Sequence, residues 1–515
     1  MSKKIALFCA LVGALVLVAS PAFAEVQNIK VSGDIQAMAV HRNNYDLEDG
    51  RNLISDIAKF PSNYPAEDND SFLMSIARLR IDADLTDNVA ACVRLANVRE
   101  WDADTFNTAA GGDTANIILD LASITLKEML YSPLTLIIGR QELMYGNGLI
   151  VGYGLYQDPN NSIEYNDLSP LHGYDAVQAI LDYDPWTLNL LMAKMNEDDE
   201  DALDTVNTGG ATDGQDRDTD TDLYGANLGY KFDQYDAEME GYCFYEVDQN
   251  YNLSFRDISN TTLNTYDENK FWTIGLRGSV VPMENLTLGG EIAGQFGEML
   301  DSNAACASGE AKRDREAMLA YASGKYNFAD VRFNPVVGLE YLYASGEEVD
   351  NVPSAETQDM GDFEAWHPVY RGKVMGTIRD CLETLYTTND PADTAGFTNQ
   401  HTIKAKGSLD LGELVDGLSL NLAYLHYWFA EAPSPNADDD VGDEINMTLT
   451  YNYTEDVQFL LDGAWFIPGD YYDDVHSYQA MAGGGITAEG VANAVTLRPS
   501  NDTAVSIIGS CKVSF

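Results

Sequence analysis

The chain has 515 residues, 45% of hydrophobic type and 10% aromatic, and sets 82 Asp and Glu against 30 Lys and Arg for a formal charge of −52. Such acidity argues against a nucleic-acid partner, because a phosphate backbone is met by a basic face. Six cysteines at wide, irregular spacing make no disulfide framework.

The first 24 residues read as a cleaved secretory signal peptide. Lys3 and Lys4 form a positive start, Ile5 to Val18 an apolar run too short for a comfortable span, and Ala22-Phe23-Ala24 a small-x-small cleavage site before Glu25. Cleavage removes Cys9 and two lysines, taking the charge from −52 to −54. It leaves Cys92, Cys243, Cys306, Cys381 and Cys511, of which Cys306 and Cys381 fall in loops and are free to pair or not. Residues 25–515 are expected to form one domain. They hold no long uninterrupted apolar run, so an exported chain of this kind enters a membrane only as a closed barrel, where every backbone polar group is satisfied.

Eighteen segments alternate apolar and polar residues with the period of two that marks a strand with one face in an apolar medium. In chain order they are Asn28 to Ala39, Phe72 to Leu85, Val89 to Glu100, Ile117 to Leu130, Leu134 to Leu143 and Gly173 to Tyr183. Then come Trp186 to Met195, Leu223 to Phe232, Ala237 to Val247, Phe271 to Val281, Leu286 to Phe296 and Ala317 to Phe328. The last six are Phe333 to Ala344, Thr398 to Leu409, Leu418 to Phe429, Glu444 to Tyr453, Val457 to Ile467 and Thr503 to Phe515.

The connections alternate short and long: Thr86 to Asn88, then Met144 to His172 after Tyr131 to Pro133, and so on to Pro468 to Asp502. Tight turns on one side and long loops on the other predict an all-β fold, a transmembrane antiparallel up-and-down β-barrel of about 18 strands with periplasmic turns and long acidic extracellular loops. A soluble sandwich has no reason for that alternation. The expected site is the outer membrane of a Gram-negative cell, with lipid and lipopolysaccharide around the barrel. The final strand puts Val505, Ile507, Gly509, Cys511 and Val513 on one face and ends on Phe515. It resembles the closing strand that barrel-assembly machinery recognises. Phe72, Tyr183, Trp186, Phe232, Trp272, Phe328, Trp428 and Trp465 stand near strand ends, where membrane interfaces favour amphipathic rings.

Two stretches are more specific: Ile137 to Gly154, with Gly139-Arg140-Gln141, and Gly442 to Tyr472, with Phe466-Ile467-Pro468-Gly469. Together with Trp366 to Tyr370 and the strand count, they resemble the alginate-export family of outer-membrane porins. The resemblance implies an 18-stranded barrel that passively exports an anionic polysaccharide through an arginine-rich pore, other members carrying other solutes. The charge departs from that pattern, since Asn196 to Asp222 holds eleven carboxylates and one arginine, Arg217.

Arg78, Arg80, Arg94 and Arg140 fall on lumen-facing positions of strands two to five. Two readings stand side by side: a selectivity waist for anions, or pairing with Asp82, Asp84, Glu142 or Asp175 that stiffens the wall. Glu444 is expected to line the same pore. Asp218-x-Asp220-x-Asp222 superficially resembles the start of a calcium loop but lacks its turn glycine and terminal Glu, leaving only loose Ca²⁺ binding against a solvated acidic loop. No zinc spacing, nucleotide loop or G-x-S-x-G appears, and no cofactor or enzymatic activity is expected. Two classes of function stay open. The first is a passive channel for a polysaccharide, oligosaccharide or other hydrophilic solute. The second is a structural or partner-binding barrel, such as a sheath for a periplasmic electron carrier or a loop-mediated adhesin. A lumen plugged by Ser345 to Phe397 favours the second.

Overall fold

A computed structural model describes residues 28–45, 69–101, 117–130, 132–152, 168, 173–196, 220–249, 252–256, 262–266, 268–300, 312–347, 362–368, 370–373, 375–380, 398–432, 438–472 and 502–515. The first strands are β1 (Asn28–Asn43), β2 (Asn69–Thr86), β3 (Val89–Glu100), β4 (Ile118–Lys127), β5 (Leu134–Gln141), β6 (Tyr174–Tyr183), β7 (Trp186–Asn196), β8 (Thr221–Phe232) and β9 (Ala237–Asp248). A small hairpin follows, β10 (Asn252–Arg256) with β11 (Thr262–Tyr266). The series resumes with β12 (Asn269–Met283), β13 (Leu286–Leu300), β14 (Lys312–Asn327), β15 (Val336–Ala344), β16 (Gln400–Asp410), β17 (Leu418–Phe429), β18 (Asp440–Asn452), β19 (Val457–Pro468) and β20 (Ala504–Ser514).

Each barrel strand pairs antiparallel with the next, β9 passes to β12 across the hairpin, and β20 returns to β1 from Asp34↔Ser514 to Asn43↔Val505. The 18-stranded sheet is therefore closed. Closure leaves no free edge, the condition for a sheet in lipid. Every expected segment overlaps one barrel strand. The differences lie at the ends. β14 begins five residues before Ala317, because Lys312 to Glu316 continues the ladder with β13 above the apolar alternation. β15 starts only at Val336, because Phe333 and Asn334 have positive φ and turn the chain. The hairpin β10–β11 lay inside an expected loop.

The alternation sorts the two faces. On β13, Leu288, Ile292 and Phe296 are exposed outward, whereas Glu291, Ala293 and Gln295 are buried inward. Outward rings gather near strand ends: Tyr183 stacks on Trp186 at 4.5 Å, and Tyr245 on Trp272 at 4.5 Å. Phe72 is a correction. It points inward and is buried with Met38, Val40, Met74 and Ile76, because the register of β2 puts it in phase with Arg78 and Arg80. Cys243 and Cys511 sit on the outward face, and Cys92 is opposite Asp82; all three are free thiols. The signal segment, Cys306 and Cys381 lie outside the described residues. No helix among the described residues is long and apolar enough to cross a membrane.

The core lies inside the barrel. Leu143, Tyr145, Leu149, Ile150 and Val151, which follow β5, and Trp366, Met375 and Ile378, which follow β15, pack against inward residues such as Leu223, Phe244, Leu319, Leu342 and Phe466. Two connections thus fold into the lumen and bury apolar residues there instead of standing in solvent.

Candidate solute conduit

Arg78, Arg80 and Arg94 stand on the inner wall, Arg140 does not, and each of the four has a carboxylate partner. Arg78 Nε lies 3.4 Å from Asp34 Oδ1 on β1, which Lys512 of β20 approaches to 3.9 Å. Arg80 Nε donates to Asp82 Oδ2 at 2.8 Å. Arg94 donates through Nε to Asp120 and through Nη1 reaches Glu142 at 2.8 Å. Arg140 donates through Nη1 to Asp175 at 3.1 Å and through Nε to the Asp120 carbonyl at 3.2 Å. Asp120 joins two of them, and Glu142, Arg94, Asp120, Arg140 and Asp175 make one chain of charge across β3 to β6. Sequence reasoning named Asp82, Glu142 and Asp175 as partners and missed Asp34 and Asp120. Asp84 makes none of these contacts. Asp34 sits at an inward position of β1, but Asp120 sits at the register shift between β3 and β4, where alternation breaks, and register decides which arginine each one meets.

The Gly139-Arg140-Gln141 motif has a mechanical reading. Gly139 has φ +112°, and a Cβ there would meet the Ala122 carbonyl at 2.2 Å, so only glycine lets β5 approach β4. Gln141 is buried and donates to the Ala176 carbonyl at 3.0 Å. Arg140 is a correction: it lies opposite Asp175, which stands between the buried inward Tyr174 and Ala176 and is 61% exposed, and it is in phase with outward Ile138, so the Arg140–Asp175 pair is on the outward face.

The two inward connections, strap A (142–152) and strap B (362–380), are tied together. Gly152 N donates to the Tyr370 carbonyl at 3.0 Å, Tyr370 N to Ile150 at 2.9 Å, and Gly372 N to Gly148 at 2.8 Å. Strap B also pairs with β14, where Phe363 N donates to the Asp314 carbonyl at 2.7 Å. Gln295 clamps His367 at both backbone groups, donating to its carbonyl at 2.6 Å and accepting from its N–H at 2.9 Å. A second basic group lies here. Lys373 donates to Tyr321 Oη at 3.0 Å, Lys404 to the Met375 carbonyl at 2.6 Å, and Lys406 pairs with Glu340.

Strap B is part of the Ser345 to Phe397 connection, so this connection does enter the lumen. It fills the side lined by β6 to β19. On the opposite side, the side chains of Arg80 and Lys512 keep 39% and 36% exposure, whereas Met38, Val40, Met74 and Ile76 further along β1 and β2 are buried. Glu444 is a correction. It is 0% exposed and accepts backbone N–H groups of strap B, so it anchors the strap and does not face the conduit. Asp220 and Asp222 share the ammonium of Lys194, and Asp218 lies outside the described residues. No cluster of three or more metal-ligating side chains stands among the described residues.

A profile of the family described as "Alginate export" matches residues 63–482. The chain belongs to the alginate-export family. Among solved structures, the outer membrane protein opdK from Pseudomonas aeruginosa aligns with a TM-score of 0.50 at 10% identity, over 95% of this chain and 100% of that one. Pseudomonas aeruginosa OccK11 (OpdR) aligns at 0.48 and 12%, over 95% and 97%. Pseudomonas aeruginosa OccK2 (OpdF) in complex with glucuronate aligns at 0.47 and 13%, over 95% and 99%. No curated protein matches. This alginate-export family member is thus an outer-membrane channel with the barrel of transport porins.

Strap B carries a pH dependence. Burial, with Arg315 nearby, pushes the His367 imidazole from 6.5 down to about 3, so it is neutral at pH 7. A depressed histidine binds fewer protons folded than unfolded. Its contribution to stability is present above about 6.5 and is lost as pH falls toward about 3. Unfolding midpoints followed across that window should fall less steeply with acid in His367→Gln than in the parent.

Proposed function

We propose that this alginate-export family channel passes a saccharide or sugar acid by passive diffusion along the β20–β1–β5 side of its lumen. One observation carries the reading: the inner wall alternates cationic and carboxylate groups across β20 to β4, from Lys512, Asp34 and Arg78 through Arg80 and Asp82 to Arg94 and Asp120. A sugar hydroxyl is at once donor and acceptor. A row that offers both replaces its hydration at many weak sites, and conduction needs binding of that kind, favourable enough to enter and weak enough to leave. The same reading takes residues 1–24 as a cleaved signal and Phe515 as the residue read by the barrel-assembly machinery.

The arginines also bias the conduit toward anions. Arg78→Gln with Arg80→Gln, measured by reversal potential in a planar bilayer under a salt gradient, should lower the anion-to-cation permeability ratio by about twofold or more. An unchanged ratio would sink the selectivity role and leave these arginines as wall braces.

A further inference from the structure

Two carboxylates on opposite parts of the wall make the same construction with the two straps. On β13, Glu291 is 2% exposed. Its Oε2 accepts Asn147 N at 2.8 Å and Asn147 Nδ2 at 2.7 Å, and its Oε1 accepts Tyr242 Oη at 2.6 Å. Strap A places Gly146 directly against it, where a Cβ would stand 2.6 Å from Glu291 Oε1. On β18, Glu444 Oε1 accepts Thr377 N at 2.5 Å and Ile378 N at 3.2 Å, and Oε2 accepts Arg379 N at 3.0 Å. Tyr427 Oη reaches its Oε2 at 3.5 Å. Strap B places Gly376 against it, where a Cβ would meet Tyr427 Oη at 2.0 Å and Glu444 Oε2 at 2.7 Å. Each assembly is a wall glutamate, a wall tyrosine behind it, a strap glycine that lets the backbone close in, and strap N–H groups donated to the carboxylate.

We infer that Glu291 and Glu444 are positioning residues, each latching one strap to the wall through a tyrosine-backed carboxylate, and that the two latches together set the bore of the channel. The physical case is the cost of the alternative. A buried carboxylate without donors is expensive, and so are strap N–H groups facing a wall without acceptors. The two needs cancel only with the strap seated. Ion-pair bracing would place an arginine on the carboxylate. Here the strap donors are three backbone amides at Glu444 and the backbone and side-chain amides of Asn147 at Glu291, so the latch fixes the path of the strap itself. Because the straps pair at residues 148–152 and 370–373, each latch also supports the other. Support from neighbouring groups adds to it: Glu240 accepts Gly146 N at 3.2 Å, and Asp380 accepts Gly376 N at 2.9 Å.

The consequence for bore rests on the conduit reading, but the latch itself does not, and two measurements separate them. The first is hydrogen–deuterium exchange of the full-length protein in detergent, comparing the parent with Glu291→Ala, Glu444→Ala and Gly376→Ala. Amides of peptides covering Asn147, Thr377, Ile378 and Arg379 should exchange at least about tenfold faster in the matching variant, while wall peptides from β2 and β3 keep their protection. Glu444→Gln, which keeps one acceptor oxygen, should restore part of it. The second is single-channel recording of the same proteins, where loss of a latch should raise open-channel conductance or add a flickering sublevel. Unchanged strap exchange overturns the latch whatever the conductance. Faster strap exchange with unchanged conductance keeps the latch and overturns its role in setting the bore. Faster exchange in a parent that passes no current keeps the latch and overturns the conduit reading. Loss of wall protection in Glu291→Ala or Glu444→Ala shifts the decision to Gly376→Ala and Glu444→Gln, which keep a polar side chain at position 444.

Discussion

Arg94→Ala is expected to destabilise the barrel by about 3–5 kcal/mol, the range for removing one partner of a buried ion pair. Asp120, only 1% exposed, receives the Arg94 Nε–H and sits at the junction of the charge chain. Its other oxygen has no hydrogen-bond partner among the described residues. Without Arg94, the carboxylate keeps no cation in contact, and Glu142 loses the same partner. Arg140 cannot substitute, because it binds the Asp120 backbone carbonyl and is committed to Asp175. Urea unfolding followed by heat-modifiable mobility gives the midpoint. Arg94→Ala with Asp120→Ala should recover much of the loss, because the stranded charge goes with its partner. A single variant within about 1 kcal/mol of the parent would mean that Asp120 is solvated and the chain of charge is not structural.

Ile292→Arg is expected to cost about 2–4 kcal/mol, the penalty for a cation on the lipid face of a barrel near the bilayer midplane. Ile292 is midway along β13, faces outward and is 59% exposed. Its outward neighbours across the ladders are Leu276 and Ala320, so no carboxylate stands beside it. The inward neighbour Glu291 lies on the other side of the same wall. Refolding into bilayers of defined thickness, with the unfolding free energy measured by denaturant titration, reads the effect. The control is Asn421→Arg, on an inward position of β17, which should change stability far less. Equal effects at both positions would contradict the assignment of faces.

The barrel was legible because lipid on one side and water on the other impose a period of two on nearly every strand. The eighteen segments and their short–long connections followed from that constraint alone. Strand ends were less legible. At Lys312 to Glu316 the ladder continues above the apolar band, where alternation no longer marks it. Arg78, Arg80 and Arg94 were visible for the same reason as the strands, since their parity follows from the apolar face, whereas Arg140 shares the parity of outward Ile138 and was misplaced inward. Their partners were visible only in part. Asp34 and Asp120 are set by register between strands, which the sequence of either strand alone does not carry.

The straps were the least legible part. Residues 142–152 and 362–380 are apolar-rich segments between strands, and nothing in their local pattern says that they fold inward. Phe72 and Glu444 show the two resulting errors. A ring near a strand end reads as an interface anchor until the register turns it inside. A carboxylate on an inward position reads as pore lining until a strap covers it. Each connection has glycines where it turns or closes on the wall: Gly146 and Gly148 at positive φ, and Gly376 against Glu444. In retrospect, Tyr145 to Gly148, Y-G-N-G, is the local signal of a tight inward turn.

The measurement that tests the account most directly is the conductance of the purified protein in a planar bilayer, with and without a neutral oligosaccharide and a uronic-acid oligomer in the bath. Steady conductance that both sugars reduce in a concentration-dependent way, the uronic acid at lower concentration, is the expected result. A bilayer that carries no current above the lipid background would contradict the conduit and leave a barrel whose lumen serves only to hold its straps.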